Sequence, residues 1–64
     1  MNNDLYKLMM YNLVVTMKRR DPERPLKNGE YSIFDMTNVI ALATNKTAGD
    51  VMLDYLETYK KMEE

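Results

Sequence analysis

Apolar positions recur along this chain at helical spacing, in three blocks separated by turn residues. In the first block, from about Asp4 to Arg20, they fall on two stripes when laid out at ~100° per residue. The broad stripe holds Tyr6, Met9, Met10, Leu13, Val14 and Met17, and the second holds Leu8, Tyr11 and Val15. Asn3 reads as an N-cap. Asp4 suits the positive end of the helix dipole, and Lys18, Arg19 and Arg20 suit the negative end. Asp21-Pro22 predicts the stop, because a residue before proline is pushed out of the α region. A helix with two apolar faces belongs either in the middle of its fold or against a partner.

The second block runs from about Ile33 to Thr44. Ser32 is placed to cap it, and Asp35 three residues on completes a capping-box pattern. Its expected buried stripe is Ile33, Met36, Val39, Ile40 and Ala43, with Asp35, Thr37 and Asn38 toward water. Phe34 and Leu42 fall off that stripe. The third block, about Ala48 to Met62, starts on a similar Thr47/Asp50 pattern. Its stripe is Ala48, Val51, Met52, Tyr55, Leu56, Tyr59 and Met62, opposed by Asp54, Glu57, Lys60 and Lys61. Leu53 projects from the polar side. Between the first two blocks, Pro22 to Tyr31 reads as a connector. Asn28-Gly29 marks a turn there, with a tiny hairpin as the less favoured alternative because an isolated two-stranded ribbon is marginal.

These elements predict an all-α chain: one domain over residues 1–64, with three helices at about 4–20, 33–44 and 48–62. The C-terminal pair is expected to form a helix-turn-helix-like hairpin packed on the broad stripe of the first helix. Ile40 and Ala41 would pack it, Asn45 would turn it and Val51 would plug it. Lys46 departs from the apolar residue usual in such a turn.

Composition narrows the function. A core built from 64 residues rarely supplies more than ~3–5 kcal/mol without a staple. The chain holds no Cys and no His, so it has no disulfide, no Cys/His metal site and none of the commonest catalytic bases and nucleophiles. Gly29 and Gly49 stand alone, which excludes a glycine-rich phosphate loop. No cofactor, small-molecule substrate or catalytic residue is expected. No signal peptide or membrane-length apolar run is visible, and a cytoplasmic location without membrane contact is expected.

Charge is uneven. Residues 1–30 hold six basic and four acidic side chains, a net of +2, while residues 31–64 hold three basic and six acidic, a net of −3. The basic side chains gather at Lys18, Arg19, Arg20, Arg24 and Lys27. Seven methionines and five tyrosines give the first and last helices the composition of an interface, since Met repacks easily and Tyr is enriched where proteins meet. A short, cysteine-free helical chain of this kind resembles the general run of small accessory proteins from phages and mobile elements, which occupy a host protein's surface. That likeness is one of type and composition.

The expected function is therefore non-catalytic protein binding, either by self-association as a homodimer or by docking on a larger partner to modulate it. The residues singled out are Leu8, Tyr11 and Val15, the exposed Leu53, and the basic Arg19, Arg20 and Arg24. The rival is a small helix-turn-helix transcriptional regulator. Its reading helix would present Ala48, Gly49, Asp50 and Leu53, none of which donates to a guanine edge or a phosphate. Asp50, Asp54 and Glu57 would repel the backbone, so nucleic acid is an unlikely partner. Random duplex DNA is accordingly expected not to shift in a gel at moderate salt. Tight, salt-sensitive binding lost on mutating the Ala48–Leu53 face would promote the regulator instead.

Overall fold

The computed structural model describes residues 3–20 and 24–63. It holds three helices, α1 (Asn3–Arg19), α2 (Ile33–Thr44) and α3 (Ala48–Met62), and no strand among the described residues. The chain is all-α, as the periodicity predicted. The Asp21-Pro22 stop signal lies outside the described residues.

Local chemistry sets the helix ends. Ser32 Oγ accepts from the Asp35 amide at 3.1 Å and the Asp35 carboxylate accepts from the Ser32 amide at 3.3 Å, a complete capping box. Thr47 Oγ1 accepts from the Asp50 amide at 3.1 Å and opens α3 in the same way. Between them Asn45 adopts φ 57°, the left-handed conformation that ends a helix. Its amide and that of Lys46 both reach the Ala41 carbonyl, Lys46 at 3.0 Å, so this one acceptor closes the helix end.

α3 is the shared wall of the core. It packs against both other helices, whereas α1 and α2 meet only marginally. Val51, fully buried, and Tyr55 face Met10, Leu13 and Val14 of α1 and Ala41 of α2 in one cluster. α1 and α3 run in the same general direction. The Tyr6 hydroxyl, near the start of α1, donates to Asp54 Oδ2 at 2.6 Å midway along α3, and Lys18, near the end of α1, lies 4.7 Å over the Tyr59 ring in the last turns of α3. Of the two places that the two-faced α1 allowed, the middle of the fold is taken by α3, and the second stripe of α1 is left outside.

α2 is turned part-way from its expected orientation, with Ile33, Met36 and Ile40 of the expected stripe half-buried against the core. Thr37 and Ala41 are its buried residues, while Val39 and Ala43 of the expected stripe are exposed. α2 is apolar around most of its circumference, so hydrophobicity alone does not select a face. Its small side chains do: Thr37 and Ala41 let the backbone come close to α3. Burying the Thr37 hydroxyl is offset because it donates to its own helix, to the Phe34 carbonyl at 3.1 Å. On α3, Ala48 and Leu56 likewise stay exposed although the stripe included them, and Asp54 turns inward to Tyr6.

With only two extensive helix contacts the domain is open. Its radius of gyration is 11.9 Å, against about 10.7 Å for a compact chain of this length.

The left-handed Asn45 gives a stability test. Replacing it with Ala forces a Cβ into a conformation that costs on the order of 1 kcal/mol, whereas Gly adopts it freely. Asn45→Ala should lower Tm by several degrees and Asn45→Gly should leave it nearly unchanged, as read by thermal unfolding. Equal Tm values for the two variants would show that the turn geometry is not as described.

Candidate functional site

The residues singled out in the sequence occupy three separate places. The first is the outer stripe of α1. Leu8 and Tyr11 are 54% and 50% exposed, Val15 beside them is half-buried, and Arg19 extends the row at the exposed C-terminal end. They share one face because positions 8, 11, 15 and 19 repeat every three or four residues. Tyr6, Met10, Val14 and Met17 face the core from the other side of the helix.

The second place is the connector. Arg20 and Arg24 are turned onto the chain itself. Arg24 forks onto Glu30, with Nη1 2.7 Å from Oε1 and Nη2 2.8 Å from Oε2. Arg20 donates to the Tyr31 carbonyl at 2.7 Å and lies 3.7 Å from Glu30. Glu30 also accepts from the Lys27 amide at 2.7 Å, and its own amide closes the turn onto the Lys27 carbonyl at 3.0 Å. Gly29 takes φ 89° at the third position of that turn, where a side chain would be strained. The Asn28-Gly29 signal is a plain turn here, and no hairpin forms among the described residues. The basic cluster therefore works first as the clasp of a loop.

The third place is Leu53, 60% exposed on the outer side of α3 with Leu56 nearby at 53%. It does not join the α1 stripe into one patch, since that stripe faces away from the α1–α3 contact.

Sequence reasoning missed a groove between α1 and α2. It has a volume of about 560 Å³ and is lined by Met9, Leu13, Met36, Val39 and Ile40, with Asn12, Thr16, Tyr31 and Asp35 supplying its polar positions. It exists because α2 gives its smooth face to α3 and leaves its most apolar face beside α1. The signal was present in the stripe assigned to α2: Met36, Val39 and Ile40 line the groove, and Met36 and Ile40 also pack against the edge of the core. Phe34 and Leu42 stand exposed elsewhere on α2, Leu42 at 85%, and belong to neither the groove nor the buried cluster.

A polar cleft of about 520 Å³ opens where Tyr6 meets Asp54, with Lys7, Lys46, Glu57 and Lys61 around it. Lys46, the residue out of place in a helix-turn-helix turn, lies 4.8 Å over the Tyr6 ring. Burial, and then the Asp54 hydrogen bond, push the Tyr6 phenol well above its ordinary value. At neutral pH it is a proton donor locked onto Asp54, a structural cross-link between α1 and α3. Among the described residues no cluster of acidic, His or Cys side chains could hold a metal, and no helix is long and apolar enough to cross a membrane.

No protein family, curated protein or solved structure matches the chain.

The clasp has a titration signature. The Arg24 fork, then the Lys27 amide, lower the Glu30 carboxyl from an ordinary 4.5 to about 2. A lowered folded value means that the clasp stabilises fully above about pH 4.5 and is lost as pH falls toward 2. NMR titration of the Glu30 side chain should find that depressed midpoint, and Arg24→Ala should raise it toward the ordinary range, with the Lys27 amide and Arg20 still in place. An ordinary midpoint in the unaltered chain would show that the clasp is open in solution.

Proposed function

We propose that this chain is a small non-catalytic protein-binding module, which self-associates or docks on a larger partner as an accessory protein or inhibitor does. One observation carries the reading. The α2 face that carries Met36, Val39 and Ile40 is only partly covered within the chain, and with α1 it forms an open, mainly apolar groove. Ten large hydrophobic side chains among the described residues are exposed, against six hydrophobic residues in the buried core. Isolated exposed hydrophobes are ordinary, but a groove lined by Met36, Val39 and Ile40, with the exposed Leu42 at its border, is the kind of patch that marks an interaction surface. Grooves between helices take an amphipathic helix through a few apolar anchors, and Met9 and Met36 suit such contacts because thioethers repack.

Two features favour protein over nucleic acid. Arg20 and Arg24 are committed to Glu30 and the Tyr31 carbonyl, and Lys18 and Lys46 lie over tyrosine rings. Asp50 and Glu57 remain exposed on α3. A phosphate backbone laid on α3 would meet a row of like charge, and the cations clustered at the connector are largely engaged within the chain.

The test is to present the unaltered chain and two surface variants, Val39→Asp and Leu42→Asp, as affinity baits to an extract of the source cell. Both side chains are exposed, so helix content and Tm should barely change. A partner retained by the unaltered chain should weaken by at least tenfold with one variant, about 1.4 kcal/mol. If both variants retain every protein that the unaltered chain retains, the groove and its flank are not the binding surface.

A further inference from the structure

We infer that the outer stripe of α1 is a self-association face, pairing antiparallel with the same stripe of a second copy about a two-fold axis near Tyr11. The inference rests on the protein-binding reading and names the partner of one of its surfaces. It stands on the order of residue types along one face. Asp4, Leu8, Tyr11, Val15 and Arg19 repeat at intervals of four, three, four and four residues, the spacing that brings side chains to a helix–helix seam. The apolar members are central, the acid lies in the first turn of α1 and the arginine in the last. Laid antiparallel on itself, this row sets Leu8 beside Val15 of the second copy and Asp4 beside Arg19 of the second copy, at both ends by symmetry. Asp4 has an interaction within its own chain, and a carboxylate has acceptor positions for more than one donor. The antiparallel arrangement also sets each helix's negative C-terminal end beside the other's positive N-terminal end. Parallel pairing would instead set Asp4 on Asp4 and Arg19 on Arg19.

The groove is the weaker candidate for a second copy, because its lining carries an acid, Asp35, and no cation. The area on the α1 face sets the strength. Leu8, Tyr11 and Val15, with Leu5 and the stem of Arg19 beside them, make a patch of five side chains, against roughly 20–30 residues a side in a standard stable interface. Self-association is then weak and concentration-dependent.

Sedimentation velocity over a concentration series is the first measurement. The mass of the unaltered chain should rise toward a dimer across the micromolar range, and Tyr11→Glu should hold it at a monomer with an unchanged helical spectrum. The second measurement fixes the orientation, and the cysteine-free sequence makes it unambiguous. Under mild oxidation an equimolar mixture of Leu8→Cys and Val15→Cys chains should form the 8–15 disulfide far faster than either chain alone forms its own. A disulfide demands Cα atoms within about 7 Å. Should cysteine at these positions weaken the pairing, charge reversal decides. Asp4→Lys and Arg19→Glu should each weaken association at least tenfold, and the two together should restore it. A chain that stays monomeric throughout, a Leu8→Cys chain that cross-links best to itself, or single reversals that strengthen association would each overturn the proposal. Those outcomes leave the groove untouched, and its own variants judge it separately.

Discussion

The structure depends on one helix having two neighbours. Val51 and Tyr55 of α3 carry the burial for both sides of the core, and α1 and α2 are held together chiefly through them. A third extensive contact, between α1 and α2, would have closed the groove and left a compact bundle. In its place the chain adds polar links along the α1–α3 seam. Tyr6 bonds Asp54 at one end, and Lys18 covers Tyr59 at the other while approaching Glu63 at 3.9 Å. The last of these is solvent-exposed and worth little by itself. The Tyr6–Asp54 bond matters more, because losing either partner would strand a half-buried polar group.

How much of this could be read from the residues varied with the range of the interaction. Ser32, Asp35 and Thr47 act on amides three residues away, so the starts of α2 and α3 fall where the sequence placed them. Asn45 ends α2 for an equally local reason. The face that α2 buries was not legible, because Val39, Ile40 and Leu42 outweigh Thr37 on any hydrophobicity scale while backbone approach favours Thr37 and Ala41. Lys46 over Tyr6 and Arg20 on the Tyr31 carbonyl join residues far apart in sequence, and no periodicity encodes them. Of the candidate binding residues, Leu8, Tyr11 and Leu53 stand at the surface as the helical wheel implied. Arg20 and Arg24 were read as outward charge because Glu30 gave no sign of being their counter-ion.

The surfaces divide by character. The connector spends its charge on itself, the Tyr6 cleft is polar and cross-linked, and the apolar area is left on the outer side of α1, in the groove and on the outer sides of α2 and α3. A chain this small can combine few roles. The α1 stripe and the groove lie on neighbouring faces of α1 and share no apolar side chain, so a contact at one would not use the apolar residues of the other.

The clasp at the connector also governs where this chain tolerates change. Arg20 on the Tyr31 carbonyl, and Arg24 on Glu30, hold the two arms of the loop together below its tip at Asn28 and Gly29. Residues added at that tip would lengthen a segment whose ends are already fixed, and doubling such a loop costs only about 0.6 kcal/mol in closure entropy. A peptide insert or fluorescent label placed there would be carried on a fixed stalk, outside the three helices.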